Sequence, residues 1–294
     1  MTDAPLGNGN VIHTWEQAVE WLRVQPGRED FVRQCYYDDP LLAAAARFCA
    51  SEEWAGICKL LEGWIPGRVL EMGAGRGTTS FAFASVGCDV TALEPDPSPI
   101  VGCGAIDELN KSLPNPIRIL TQWGERIDVP DQSFDIVFCR ATLHHAHDIN
   151  AFCKEAARVL RPGGVFLAER EHILDKKEDL SKFQDAHPLH HLYGGEKAYT
   201  LKEYHAGICK AGLKLKRSIH PYGHVVNLIP PMSGPRFRQM TREAIVKFKV
   251  PRVVAKWLGD LSWVRQLYGE TLNWRNRVPG RMFSFLATKP GQRL

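Results

Sequence analysis

The sequence predicts an α/β chain whose mostly parallel sheet is covered by helices on both faces, and two observations predict it. From residue 68 onward, short apolar stretches alternate with segments of helical character, the pattern of successive βαβ units. The first of these stretches, "VLEMGAGRGTTS" over 69–80, runs from an acidic residue straight into glycines at alternate positions. A strand that enters glycines and then a helix lets the backbone approach a ligand and aims helix N-terminal N–H groups at it.

In chain order, residues 14–64 read as helical: "TWEQAVEWLRV" offers Thr14 as N-cap and a Trp15, Val19, Leu22 stripe, and "DDPLLAAAARFCASEEWAGICKLLEGW" continues the character. The strands are "RVLEM", "CDVTALE", "PIRILT", "SFDIVFC" and "GVFLAER". "LKEYHAGICKAGLKLKRSI" adds a helix and a strand, and "RMFSFLATK" a last strand. Two segments interrupt the alternation, about 170–200 and about 221–280.

Composition bounds the class. At 294 residues with 44% hydrophobic and 24% charged residues, the chain has a sizeable core. A net charge of +4 is too small to argue for a nucleic-acid partner. The start has neither the basic nor the apolar region of a signal peptide, and no apolar run reaches a membrane span's length. The eight cysteines never fall as C-x-x-C, which fits reduced thiols in a cytoplasmic protein rather than disulfides or a zinc site.

The glycines at 73, 75 and 77 depart from the dinucleotide fingerprint, because Thr78 stands where its third glycine belongs. The spacing E-x-G-x-G-x-G instead resembles the first motif of class I S-adenosylmethionine-dependent methyltransferases. "CDVTALEPD" ends in Glu94, a strand-end carboxylate suited to ribose hydroxyls. "VPDQSFDIVFCRATLHHAHD" and "EAARVLRPGGVFL" resemble the subgroup with P-D-x-S-F-D and R-V-L-R-P-G-G, so the resemblance covers about residues 66–169.

The resemblance implies a doubly wound, Rossmann-like sheet of seven strands, the last antiparallel, and S-adenosylmethionine as cofactor. It implies that Gly73, Gly75 and Gly77, following Glu71, line the methionine part, that Glu94 holds the ribose, and that Pro95 and Asp96 lie beside the adenine. Cys139 and Arg140 would follow the fourth strand under the sulfonium. Where the family usually has an acidic residue for the adenine amine, this chain has Trp123, Gly124 and Glu125; either Trp123 covers the adenine face or Glu125 reaches the amine. The expected organisation is a helical N-terminal lid over 1–64 and a methyltransferase domain over 65–294, with insertions at about 170–200 and 221–280.

The acceptor side is read from residue chemistry. His144 and His145 follow the fourth strand, and an imidazole there suits removing a proton from the acceptor. "AERE" closes the fifth strand; alternation would put Glu169 and Glu171 on one side, Arg170 and His172 on the other. His145, Glu171 and His172 are therefore the candidate bases. "CYYDDP" precedes a helix suited to cover the cofactor, where Tyr36 and Tyr37 either offer a hydroxyl to its methionine carboxylate or pack in the core, and His187 and His191 belong to a polar loop over the acceptor. An i, i+4 pair such as His187 and His191 suits zinc on a helix, but Pro188 and the later Gly-Gly argue for a loop without metal.

The stretch 235–281 holds eleven Lys or Arg against three Asp or Glu. Pro251, Gly259 and Gly269 divide it into short helices, and no single face collects Trp257, Trp263 and Trp274. A cap with inward tryptophans and outward arginines is expected, rather than an interfacial membrane helix. The expected function is methyl transfer to a small molecule held under a helical lid. The rival functions are an RNA methyltransferase using the basic segment and a non-catalytic S-adenosylmethionine-binding partner subunit.

Overall fold

A computed structural model of the chain describes residues 14–228 and 234–291. Four helices come first: α1 (Trp15–Arg23), α2 (Glu29–Gln34), α3 (Leu41–Cys49) and α4 (Glu52–Leu60). Thr14 caps α1 in a reciprocal box, its side chain accepting from Gln17 N–H at 3.2 Å while Gln17 Oε1 accepts from Thr14 N–H at 2.9 Å. Ala18, Val19 and Leu22 are the buried face of α1, as the periodicity indicates.

The alternating part then runs β1 (Arg68–Met72), α5 (Thr78–Ser85), β2 (Asp89–Leu93), α6 (Cys103–Asn110), β3 (Arg118–Leu120), β4 (Phe134–Arg140), α7 (Ile149–Val159) and β5 (Leu160–Leu174). It continues with α8 (Leu180–Ala186), α9 (His190–Tyr193), β6 (Tyr199–Thr200), α10 (Leu201–Lys210) and β7 (Lys214–Ile219). Three helices, α11 (Gly234–Lys247), α12 (Arg252–Asp260) and α13 (Ser262–Arg275), precede β8 (Arg281–Thr288).

The sheet order is β3-β2-β1-β4-β5-β8-β7, parallel through β5, with β8 antiparallel to both of its neighbours. The expected seven strands are present, and the two-residue β6 beside β5 makes eight. Strand pleating divides the core in two. Leu70, Val137, Phe166 and Phe285 pack with Phe152, Tyr204 and Ile208 on one face. Val69, Phe138 and Leu167 pack with Phe48, Trp54, Ile57 and Phe83 on the other. The order reverses between β1 and its two neighbours β2 and β4, which places a crevice at their carboxyl ends.

Two expectations are corrected. Alternation fails at the end of β5: the pairing with β8 slips between Ala168 and Glu171, and Arg170 takes a φ of 58°. A bulge adds one residue to one side of the ladder and re-aims the side chains beyond it. Glu169 and Arg170 therefore both meet the Glu53–Arg140 ion pair, whereas Glu171 and His172 both face His144.

The second correction concerns the tryptophans, which point outward: Trp257, Trp263 and Trp274 are 63%, 57% and 76% exposed. Eleven residues at 100° each leave only about 20° after three full turns. Trp263 and Trp274 thus share one stripe of α13 with the exposed Leu267, opposite the buried Gly269. The three helices pack through small residues and through the buried Phe237, which meets Tyr222 and Tyr268, instead. A Cβ at Gly269 would lie 2.6 Å from the Tyr222 carbonyl oxygen, one at Gly259 would lie 2.4 Å from Arg242 Cγ, and Ala255 is buried. They sit on the loop that follows β7, where Asn273 Oδ1 accepts from Tyr222 N–H at 3.0 Å. Among the described residues no helix is long and apolar enough to cross a membrane.

Candidate active site

β1 delivers the chain into Gly73, Gly75 and Gly77, with φ of 71°, 54° and 81°. Only glycine adopts such angles freely, and at Gly73 space also demands it, since a Cβ would lie 2.2 Å from Thr142 Cγ2. Gly77 has a different task from the one expected of it. It caps α5 facing α6, where a Cβ would meet Ile106 Cγ1 at 2.8 Å, so it permits helix packing and lies outside the cavity lining.

A cavity of about 370 Å³ opens over this turn. Glu71, Gly73, Gly75, Glu94, Pro95 and Asp96 line it from β1, β2 and the turns after them. Glu71 is buried and accepts a hydrogen bond from Ser80 Oγ, and burial pushes its carboxyl up to about 8. Glu94 accepts from Gly75 N–H at 2.7 Å and from Asp96 N–H at 2.9 Å, and burial raises its pKa as well.

Trp123, Gly124 and Glu125 form another wall. Trp123 is largely exposed at the cavity rim, its ring meeting His147 edge-on at 5.5 Å. Glu125 Oε1 accepts from His147 N–H at 2.8 Å, so this carboxylate is engaged in holding the neighbouring loop. Gly124 is set by contact, because a Cβ there would lie 2.5 Å from Phe152.

Arg140 and His145 reach the cavity from the end of β4, and Tyr37 from the segment after α2. Cys139 does not; it points from β4 into the core and is fully buried there, and burial pushes its thiol well up. Tyr36 does not either. Its ring packs edge-on against Phe48 at 5.1 Å with Arg47 and Arg140 over it.

Beneath Arg140 lies a buried ionic group that sequence patterning did not expose. Glu53 of α4 accepts from Arg140 Nε at 2.6 Å and pairs with Arg170 at 2.7 Å. Arg170 also donates to the Val226 and Leu228 carbonyls at 2.8 and 3.0 Å. Glu169 lies 4.0 Å from Arg140 and has no hydrogen bond; burial and the Glu53 charge push its carboxyl well up.

Glu171 and His172, expected beside the acceptor, lie behind the cavity wall. Glu171 accepts from the N–H groups of Thr142, Leu143 and His144 at 3.2, 3.1 and 2.9 Å and pairs with His144 Nδ1 at 2.7 Å. It anchors the turn after β4. His172 Nδ1 lies 2.7 Å from the Gly280 carbonyl oxygen, and its ring packs on Phe183. His145 is the one candidate base on the cavity lining; burial pushes it down to about 3, so it is a neutral imidazole at neutral pH.

His144 is buried behind His145, the rings 4.2 Å apart. His187 joins the interior group around Glu196, whereas His191 is exposed with Nε2 3.4 Å from the Asp185 carbonyl oxygen. No helix carries both, since α9 begins at His190. Trp15 of α1, Arg76 and Tyr193 of α9 also line the cavity. Trp15 and Tyr193 meet edge-on at 4.8 Å, and the two segments share a small core of Ala18, Leu22, Val32, Leu189 and Leu192. Both lie outside the glycine motif's neighbourhood, so no local spacing marks them.

Comparison with known proteins agrees with this architecture. Residues 70–168, a third of the chain, match the family described as "Methyltransferase domain". Over 139 residues the chain is 32% identical to the uncharacterized methyltransferase YcgJ of Bacillus subtilis (strain 168), covering 44% of this chain and 52% of that protein. It is 35% identical over 102 residues to a ubiquinone biosynthesis O-methyltransferase of Xanthomonas campestris pv. campestris (strain B100), covering 34% and 42%. The chain thus spans about half, or less, of the curated relatives it matches.

Two solved structures resemble it in fold. An S-adenosylmethionine-dependent methyltransferase from Mesorhizobium loti superposes with a TM-score of 0.52 at 13% identity, over 81% of this chain and 98% of that one. The 4+2 cyclase SpnF superposes at 0.51 and 17% identity, over 86% and 83%. With a cyclase on this fold, the sheet alone does not fix the reaction. Residues 70–168 thus match a methyltransferase domain, and the sheet order and glycine turn around them are in keeping with that match.

Proposed function

We propose that the chain transfers a methyl group from S-adenosylmethionine to a nucleophile on a small molecule. The observation that carries this reading is the cavity itself. The glycine turn and Glu94 line it together with Trp15, Tyr37 and Tyr193, which come from segments outside the matched domain and which we read as its cover. Its volume of about 370 Å³ is in the range of small-ligand sites, about 300–1,000 Å³. The basic segment 235–281 contributes no residue to the lining, which favours a small acceptor over RNA.

The residues fit the cofactor. Glu94 presents a buried strand-end carboxylate to ribose hydroxyls, and Gly73 and Gly75 expose backbone for close approach. Trp123 offers a face for the adenine, since Glu125 is engaged with His147. When bound, the cofactor supplies a methyl group already activated on a sulfonium. The chain then has to hold the acceptor in line, keep out water and take a proton where the nucleophile carries one. His145, neutral and on the lining, is the group placed for that proton.

Calorimetry tests the reading. S-adenosylmethionine binds and NAD does not; Glu94→Ala weakens the cofactor by about 1.5–3 kcal/mol, and Trp123→Ala by about 1–3 kcal/mol. His145→Ala lowers turnover by about 10²–10⁴ with cofactor affinity intact. NAD binding as tight as that of S-adenosylmethionine would overturn the assignment.

A further inference from the structure

Behind the cavity wall, three histidines and a glutamate from distant parts of the chain meet in the interior. His144 follows β4, His172 lies in β5, and His187 and Glu196 flank α9. His144 Nε2 lies 3.9 Å from Glu196 Oε2, and His187 Nδ1 lies 3.5 Å from Glu196 Oε1. One nitrogen each from His172 and His187 and one oxygen from Glu196 all fall within 4.8 Å of one another. The His172 ring is 4.6 Å from that of His144 and 6.0 Å from that of His187.

We propose that His144, His172, His187 and Glu196 bind a divalent transition-metal ion of the zinc class.

The first support is an orphaned atom. Glu196 is only 3% exposed, yet its Oε2 accepts no hydrogen bond and is directed at His144. Its other oxygen accepts from the Tyr193 hydroxyl, and its ion-pair partners are imidazoles rather than a lysine or arginine. A buried carboxylate oxygen with nothing to bind is costly unless a proton or a cation completes it, and here three imidazole rings stand ready to share a cation.

The second support is the way the imidazoles are held. Metal-ligating histidines use one ring nitrogen on a carboxylate or carbonyl and present the other to the ion. His144 Nδ1 is on the Glu171 carboxylate at 2.7 Å, and His172 Nδ1 is on the Gly280 carbonyl oxygen at 2.7 Å. A carbonyl only accepts, so the His172 proton sits on Nδ1 and leaves Nε2 with its lone pair. Glu171 does the same for His144.

Size and donor type name the ion. Bonds of about 2.1 Å at tetrahedral angles separate ligand atoms by about 3.4 Å. The 3.9 Å and 3.5 Å approaches of His144 and His187 run to different oxygens of Glu196, and the donors of His172, His187 and Glu196 lie within 4.8 Å of one another, so the histidines must draw in around one carboxylate oxygen as the ion binds. Neutral imidazoles with one carboxylate suit zinc and its neighbours, not magnesium or calcium, which prefer oxygen. Four protein ligands leave no open position, the mark of a structural site. Its effect would be to fasten the 187–196 segment to the ends of β4 and β5. Tyr193 and His145 would then be held in place on the cavity wall.

The full chain, stripped with a chelator, is titrated with Co²⁺ as optical probe and Zn²⁺ as competitor. One equivalent of Co²⁺ is expected to give the intense visible bands of a tetrahedral site, displaced by Zn²⁺ and untouched by Mg²⁺. His172→Ala and Glu196→Gln abolish the bands while circular dichroism stays native, and Tyr193→Phe weakens binding about 10–100-fold. Should those variants fail to fold, Zn²⁺ must still raise the Tm of the wild-type chain and slow amide exchange in 187–196. Absence of both effects, or bands of full strength in folded His172→Ala, overturns the proposal. S-adenosylmethionine binding, measured in parallel, reports separately on the cofactor cavity.

Discussion

Glu71 sits under the glycine turn with a carboxyl that burial pushes from 4.5 up to about 8, its Ser80 hydrogen bond only partly opposing the shift. The unfolded chain ionises this group near its ordinary value, so the folded chain holds one extra proton between those two values. The stability linked to that proton is fully present below 4.5 and is lost as pH rises through about 8. Glu71→Gln removes the titration and keeps a polar partner for Ser80. Thermal denaturation is expected to show the variant gaining on the wild type with rising pH, by about 1.4 kcal/mol for each unit crossed. Parallel stability curves would mean that the folded chain carries Glu71 ionised.

At the scale of the element, α13 shows how a helix can pack through its smallest residue. Gly269 meets the Tyr222 carbonyl, and the large apolar stripe of Trp263, Leu267 and Trp274 faces outward. Substitution is therefore expected to invert the usual ranking by side-chain size. Gly269→Ala costs about 1–3 kcal/mol, because the added methyl meets rigid backbone. Trp263→Ser and Trp274→Ser each change stability by no more than about 0.5 kcal/mol. Urea unfolding of the three variants checks this, and a costly tryptophan replacement would mean that the stripe is covered in solution.

For the whole molecule, the Glu53 cluster joins parts that are remote in sequence. Glu53 comes from α4, Arg140 from β4, Arg170 from the β5 bulge, and Arg170 continues to the 226–228 backbone. Removing one partner of a buried pair leaves the other charge uncompensated, so Glu53→Ala is expected to cost about 3–5 kcal/mol. Glu169, whose carboxyl burial and the Glu53 charge push well up, stands beside the same arginines and ionises more readily once the Glu53 charge is gone. The double variant Glu53→Ala/Glu169→Gln should then lose more than the sum of the single changes, by a coupling of about 0.5–3 kcal/mol. A double-mutant cycle by chemical denaturation measures it; simple additivity would show that Glu169 does not compensate.

The succession of strands and the glycine turn with its two carboxylates were legible in the chain itself because both rest on local chemistry. Alternating apolar runs, glycines at 73 and 75 and the carboxylates at 71 and 94 lie close together in the chain and are governed by backbone angles and pleating. The helix cap at Thr14 is local in the same sense. Only the tertiary structure decided the features set by meetings across the chain. The β5 bulge turned Glu169 and Arg170 toward Glu53 and sent Glu171 and His172 to His144, against simple alternation. Gly77 and Gly269 were claimed by helix and backbone neighbours far off in sequence. The meeting of Trp15 with Tyr193, and the grouping of His144, His172 and His187 around Glu196, join elements that are far apart in the chain. Spacing along a chain encodes which side chains share a face; it does not encode which faces meet.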